Sequence, residues 1–145
     1  MRNADLYTTH GVDPIATMMI VNRGNFFVSL TSHATKSRGL HKYIVDHAGE
    51  DHPNAKLKWR LGDIVTTTIN TALGETIIVT HDTYTPKPYS LDFEAQGTQG
   101  LTDFDINNKR IYVEGISKPH RWNDMQIIIL ESILGCFRLN IIFPH

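Results

Sequence analysis

IVTTTINTALGETIIVTHDT, residues 64–83, is the stretch that decides the fold class. Threonine alternates with isoleucine and valine in two runs, and Ala72-Leu73-Gly74 separates them. Such alternation is typical of strands with one covered face and one more polar face. A glycine between two strand-like runs is typical of a hairpin turn. The stretch therefore predicts an antiparallel hairpin.

A helix and a strand are predicted at the start of the chain. Residues 12–22 place apolar side chains at helical spacing, and Thr8 or Thr9 can cap the helix N-terminus. Residues 26–34, FFVSLTSHA, are rich in aromatic and β-branched side chains, which favours a strand.

Three further elements complete the predicted fold. Residues 37–47 suit a short helix with Ser37 as its cap, and residues 90–97 and 110–115 read as two more strands. A turn at residues 97–100 and an Asn107-Asn108 loop lie between these strands. A helix followed by a mostly antiparallel, open-faced sheet of four or five strands is an α+β architecture.

The composition is that of an ordinary globular chain. The chain has 145 residues, 41% of them hydrophobic and 20% charged, with a formal net charge of -1. This length can bury a core, and this balance argues against disorder. Without a basic excess we expect no nucleic-acid partner. The single cysteine, Cys136, excludes an internal disulfide framework.

The C-terminal run MQIIILESILGCFRLNIIFPH is unusually apolar. Glu131 and Arg138 interrupt it, so it falls short of the roughly 20 continuous apolar residues of a membrane helix. We therefore expect no membrane partner. We divide the chain into one domain, residues 1–125, and an atypical apolar tail, residues 126–145.

Tyr7 and His10, three residues apart before the predicted helix, are the first candidate site. A phenol and an imidazole so placed can share a substrate hydroxyl, one as acid or base and the other orienting it. The structural alternative is a core tyrosine and a capping or surface histidine. The spacing alone favours that alternative.

Other polar clusters are better explained structurally. His81-Asp82 ends an apolar strand, where alternating side chains cannot both enter one cleft. His41, His47 and His52 lack the helical spacing of a metal site, so no metal is expected. Trp122 suits a loop anchor better than a sugar-stacking platform. The sequence also contains no glycine-rich dinucleotide or phosphate loop, so any nucleotide cofactor must be held by another domain.

Five segments, taken in order, resemble one family: DLYTTHGVDPIA, SRGLHKYIVDHAGEDHPNAKLKW, LGDIVTTTINTALGETIIVTHDT, PYSLDFEAQGTQG and HRW. Over residues 3–125 the chain resembles the C-terminal domain of family 109 glycoside hydrolases, a branch of the Gfo/Idh/MocA superfamily. Their type activity is α-N-acetylgalactosaminidase. The resemblance implies an α+β domain that closes over an NAD held by an N-terminal Rossmann domain.

The resemblance also implies a mechanism. NAD oxidises the sugar at C3, a base removes the acidified C2 proton, the C1 substituent is eliminated, water adds, and the ketone is reduced again. The family's Y-P-T-H-G motif falls on residues 7–11. His10 would then be the catalytic acid/base near C3, and Tyr7 a substrate-contacting phenol. Thr8 stands where the family has proline, and Asp13 where it has glycine.

Further expectations follow from the resemblance. The NAD-binding domain is missing and residues 126–145 resemble nothing in the family, so we expect a truncated or frame-shifted product that is nearly inactive alone. A homo-oligomer through the open sheet face is expected, and family members are often exported to the bacterial periplasm. The alternatives are a sugar or cyclitol oxidoreductase and a stand-alone, sheet-mediated interaction module.

Overall fold

The computed structural model describes residues 3–88, 93–104 and 109–124. The chain forms two compact units that divide between Lys87 and Pro88. We call them the N-terminal and C-terminal units. The predicted boundary at residue 125 follows the last described residue, so the assignment of 1–125 as one domain and of 126–145 as a tail stays a prediction.

The N-terminal unit contains two helices, a short 3-10 helix and a three-stranded antiparallel sheet of order β1-β2-β3. In chain order the elements are α1 (Thr8–Met18), β1 (Phe27–Ala34), α2 (Gly39–Ala48), the 3-10 helix (Pro53–Lys56), β2 (Ile64–Thr71) and β3 (Thr76–Asp82). Strands β2 and β3 form the predicted hairpin, in which Thr67 pairs with Val79. The predicted α+β fold class is confirmed.

One face of this sheet is covered and carries the core. Along β2 every second residue is buried, and in β3 the buried residues are Ile77 and Val79. Helix α1 lies against β3, because a Cβ at Gly11 would sit 3.3 Å from Cγ1 of Val79. The buried residues of β2 are Val65, Thr67, Ile69 and Thr71.

The other sheet face is open. Ile78 is 68% exposed on β3, and every residue of the edge strand β1 is exposed. The threonines at alternate positions of β2, Thr66 and Thr68, also face this side. The homo-oligomer expected through this face stays a prediction, which sedimentation velocity would test.

Buried polar side chains join elements that are distant in the sequence. Asn25, 2% exposed, bonds to residues of the α1 end, the β1 start and the β2–β3 turn. The carboxylate of Asp63 accepts hydrogen bonds from the backbone N–H groups of Arg38 and Gly39 at the start of α2. The predicted Ser37 cap is therefore wrong, since a carboxylate from the segment before β2 performs that function.

The C-terminal unit is an antiparallel sheet of order β4-β5-β6-β7. Its strands are β4 (Phe93–Gly97), β5 (Gly100–Phe104), β6 (Lys109–Val113) and β7 (Asn123–Asp124). The prediction missed β5, because aspartate and glycine are depleted in strands. Asp103 is accommodated there because its carboxylate pairs with Arg110 of β6, at 2.6 Å from a guanidinium nitrogen.

Asp82 ends β3 and organises the turn that follows. Its carboxylate accepts hydrogen bonds from the backbone N–H groups of Tyr84 and Thr85 and from the Thr85 hydroxyl, and it lies 3.7 Å from Nζ of Lys87. Burial alone would raise the pKa of this carboxyl, but these hydrogen bonds and the charge of Lys87 outweigh burial and hold the pKa below its ordinary value of 3.8.

The lowered pKa of Asp82 predicts a pH-dependent stability. Because the unfolded chain binds this proton more readily, the stabilisation is complete above about pH 4 and is lost as pH falls through the folded-state pKa. We expect Asp82→Asn to lower Tm by about 5 °C near neutral pH. The deficit should shrink toward about pH 2.

Thermal unfolding across a pH series measures this effect. Asp13→Asn is the matched control, because it makes the same charge change at an exposed position. A Tm deficit for Asp82→Asn that stays constant down to about pH 2, or an equal deficit for Asp13→Asn, would contradict the assignment.

Candidate active site

Tyr7 and His10 are brought together at the start of α1. Tyr7 is the N-cap residue, so the helix begins one turn earlier than the sequence predicted and His10 lies in its first turn. The two rings are in contact, with centroids 4.6 Å apart and planes tilted by 46°. Tyr7 is 61% exposed and His10 is also exposed. The pair is thus open to a ligand.

Asp5 anchors this pair to the sheet. Its side chain is 8% exposed, and Oδ1 accepts a hydrogen bond of 2.9 Å from the backbone N–H of Tyr7. The same oxygen lies 2.5 Å from Nδ1 of His81 in β3. The segment before α1 is therefore tied to the end of β3. Sequence reasoning missed Asp5, since no sequence signal pairs it with His81.

Gly11 provides a second anchor. The close approach of its Cα to Val79 leaves little room for a larger side chain. Because Gly11 follows His10 directly, this contact holds the first turn of α1 against β3. Asp5 and Gly11 lie on either side of the Tyr7–His10 pair in the chain, so the pair is held at both ends.

The two departures from the family motif are also in this region. Thr8 is the first residue of α1 and is exposed, and Asp13 is exposed within the helix. Among the described residues, Asp13 forms no ion pair with His10. Pro14 lies inside the helix, beyond its first turn, and has no N–H to donate to the His10 carbonyl. That carbonyl therefore lacks its regular helical donor.

The other candidate histidines and Asp82 have different partners. His81 bonds to Asp5, whereas Asp82 bonds to the turn after β3. His47 stacks on Tyr43, and His52 accepts a hydrogen bond from the backbone N–H of Asn54. In the part of the chain that the structure describes, no three metal-ligating side chains are grouped to hold an ion.

Trp122 belongs to the C-terminal unit. The guanidinium carbon of Arg110 lies 4.5 Å from the centroid of its ring, a cation–π contact. Trp122 is 40% exposed. This contact links the loop before β7 to β6, as a loop anchor does.

None of the helices within the described ranges has the length and apolar character to cross a membrane.

Comparison with known proteins identifies the family. The profile of the glycosyl hydrolase 109 C-terminal domain matches residues 1–131. The chain belongs to glycosyl hydrolase family 109. The predicted family resemblance, over residues 3–125, is thereby confirmed.

Curated family 109 proteins show the same similarity. A family 109 protein of Parabacteroides distasonis is 59% identical over 123 residues, which cover 85% of this chain and 26% of that protein. An α-N-acetylgalactosaminidase of Tannerella forsythia is 58% identical over 122 residues, 84% of this chain and 26% of that protein. A family 109 protein of Stenotrophomonas maltophilia is 48% identical over 126 residues, 86% of this chain and 27% of that protein. The chain spans about a quarter of the length of these relatives.

The described residues form no dinucleotide cradle of the Rossmann type. Both sheets are antiparallel, whereas a dinucleotide cradle is built from parallel strands joined through a helix with a glycine-rich turn. The predicted NAD would therefore have to be held mainly by residues outside those that the structure describes.

Proposed function

We propose that the protein containing this chain cleaves α-N-acetylgalactosaminides and that this chain supplies the groups that move protons at the sugar. The contact between the exposed rings of Tyr7 and His10 carries the proposal. Family membership and the name of the Tannerella forsythia relative support the substrate class. The resemblance of residues 7–11 to the family motif favours a functional role of Tyr7 and His10 over the structural alternative that spacing alone favoured.

His10 is the acid/base in this proposal. A neutral imidazole nitrogen can accept the proton of a sugar hydroxyl and later return it, which is general acid–base catalysis. By family resemblance the hydroxyl is that at C3. The two anchors, Asp5 and Gly11, limit the movement of α1 and so keep the imidazole at one place relative to β3.

Tyr7 is the substrate-contacting group. Its phenol can donate a hydrogen bond to a sugar oxygen and accept one from a sugar hydroxyl. Because its ring touches the imidazole of His10, both polar groups can reach neighbouring atoms of one sugar. NAD, proposed from the family resemblance and held outside the described residues, would supply the reversible oxidation that neither side chain can perform.

Two other functions are alternatives to the glycosidase. A sugar or cyclitol oxidoreductase would also use a histidine and a tyrosine, but it would release reduced NAD. An interaction module would use only the open face of the β1–β3 sheet. The products distinguish them, since only a glycosidase releases the C1 substituent without accumulating reduced NAD, an oxidoreductase accumulates reduced NAD, and an interaction module gives neither.

A chimera tests the proposal. This chain would replace the matching quarter of the Tannerella forsythia α-N-acetylgalactosaminidase, to which it is 58% identical. Release of p-nitrophenol from its α-N-acetylgalactosaminide would be measured with and without added NAD, and the sugar product of a reaction in D2O would be analysed for deuterium at C2. We expect release, deuterium at C2 and no net reduced NAD, whereas the chain alone should give no release.

The outcomes separate the alternatives. Steady formation of reduced NAD from free sugar would show an oxidoreductase. A folded chimera that binds NAD but neither releases p-nitrophenol nor reduces NAD would favour the interaction module over both enzymes. Release without deuterium at C2 would contradict the oxidation–elimination mechanism but would still show glycosidase activity.

A further inference from the structure

A groove lined by cations lies in the N-terminal unit, between the segment that precedes α2 and the segment that precedes β2. Its volume is about 620 Å³, within the range of small-ligand sites. We call it the basic groove and define it by its five cationic residues, which are Lys36, Arg38, Lys56, Lys58 and Arg60. Among the residues that the structure describes, no carboxylate lines it.

The cations of the basic groove are not neutralised. In the described parts of the chain, none of the five forms an ion pair, although the chain as a whole carries a formal net charge of -1. The carboxylate of Asp63, which accepts a hydrogen bond from the backbone N–H of Arg38, is buried and already bonded to the first N–H groups of α2. Five like charges around one concavity repel one another, and an anion would relieve that repulsion.

Two residues that line the groove carry buried polar atoms without a partner among the described residues. Nε1 of Trp59 and Oγ of Ser37 are buried and have no hydrogen-bond partner among the described residues. An indole N–H can only donate, so it requires an acceptor oxygen. Sulfate, carboxylate and sugar hydroxyl oxygens are all acceptors. The five cations therefore present charge to an oxygen-rich anion, and a turn of either side chain toward the groove would add a hydrogen-bond donor.

A nucleic acid fits these features less well. Binding to a strand requires a basic track with exposed aromatic platforms for successive bases. The five cations lie around a single concavity, and Trp59 is only partly exposed. A compact acidic group on a sugar chain matches one concavity better than an extended polymer does.

We propose that the basic groove binds acidic groups, sulfate or carboxylate, carried by the glycan from which the protein removes α-linked N-acetylgalactosamine. This inference rests on the proposed function, because it refines the substrate class to acidic glycans. The groove would bind a charged part of the glycan away from the cleaved bond, while Tyr7 and His10 would contact the terminal sugar.

Direct titration of the 145-residue chain tests the groove without requiring turnover. The probes are a chondroitin 6-sulfate tetrasaccharide, the unsulfated chondroitin tetrasaccharide, N-acetylgalactosamine and inorganic sulfate, all at one ionic strength. Isothermal calorimetry gives Kd, and the indole N–H signal of Trp59 reports the place of binding. We expect the acidic tetrasaccharides to bind and to shift that signal, and N-acetylgalactosamine not to do so.

The comparison between probes identifies the acidic group. Tighter binding of the sulfated tetrasaccharide assigns the groove to sulfate, and equal binding of both tetrasaccharides assigns it to carboxylate. Equal affinity for inorganic sulfate and for the tetrasaccharides would overturn the inference of a glycan site. Tighter binding of an oligothymidylate than of either tetrasaccharide would also overturn it.

Substitutions locate the binding. The triple variant K56Q, K58Q, R60Q should weaken tetrasaccharide binding about 20-fold. The double variant K109Q, K118Q removes exposed cations outside the groove and should change Kd less than about twofold. Should the triple variant misfold by circular dichroism, the single variant K58E replaces it, with an expected loss of about tenfold.

Failure of the groove can be distinguished from failure of the proposed function. Unchanged Kd in a folded groove variant, or loss of tetrasaccharide binding in the glycosidase chimera, overturns the acidic-glycan inference even if the chimera is an active glycosidase. Groove-dependent binding in a chimera without glycosidase activity would instead keep the site and reject the proposed reaction.

Discussion

Replacing His10 with alanine is expected to lower p-nitrophenol release by the chimera by about 10²- to 10⁴-fold, the usual contribution of a positioned acid or base. The imidazole is exposed at the start of α1 and touches the Tyr7 ring, so its removal deletes the proton acceptor without emptying a core. The loss should therefore appear mainly in kcat, with the fold and the NAD content of the chimera unchanged. Steady-state kinetics measures the loss in kcat, and circular dichroism measures the fold.

Two further variants make this test specific. His33→Ala removes an exposed histidine of the edge strand β1, which pairs with β2 and not with the strand that α1 contacts, and should leave kcat within about twofold. Tyr7→Phe keeps the ring against His10 but removes the hydroxyl, and we expect about a 10- to 100-fold loss. A folded His10→Ala chimera with nearly unchanged kcat would reject the role of His10, and an unchanged Tyr7→Phe would reject that of the phenol.

Asn25→Ala is expected to lower the free energy of unfolding of the N-terminal unit by about 3 kcal/mol. The Asn25 amide donates to the Met19 carbonyl at 2.9 Å and to the Glu75 carboxylate at 3.0 Å. Its oxygen accepts from the N–H groups of Phe26 and Leu73, at 2.9 and 3.2 Å. Alanine would remove all four bonds and leave the buried Met19 carbonyl without this donor, at a desolvation cost, whereas the Glu75 carboxylate would keep its bond from the Thr71 hydroxyl.

Urea unfolding, followed through the amide NMR signals of β2 and β3, measures this loss. Asn70→Ala is the matched control, because Asn70 is exposed and its bonds to Ser29 and Thr76 can be replaced by water. We expect the control to lose less than about 1 kcal/mol. Equal losses in the two variants would show that Asn25 does not join the elements as its contacts indicate.

Helix α1 begins earlier than its local sequence pattern predicted. Thr8 and Thr9 are good capping residues, so the pattern predicted a later start for α1. The helix instead begins after Tyr7, whose N–H bonds to Asp5, and Asp5 is held in turn by His81. A contact with the distant strand β3 therefore outweighs the local capping preference.

The start of α2 and strand β5 have the same explanation. Asp63 caps α2 from the segment before β2, which the pattern around Ser37 could not indicate. Strand β5 contains Asp103, which disfavours a strand locally, but Arg110 compensates its charge and strands β4 and β6 pair on both sides. Pairing with neighbours decides these elements, and propensity alone does not.

The sequence by itself determined the hairpin of residues 64–83, the α+β class, the Tyr7–His10 candidate pair and the family, because alternation, turn residues and motifs are local properties of the chain. Only the tertiary structure decided that Asp5 meets His81, that Asn25 joins three elements and that five cations surround one groove. These contacts join residues that are far apart in the chain. They depend on where strands end and helices begin, which is settled by packing and burial rather than by local pattern.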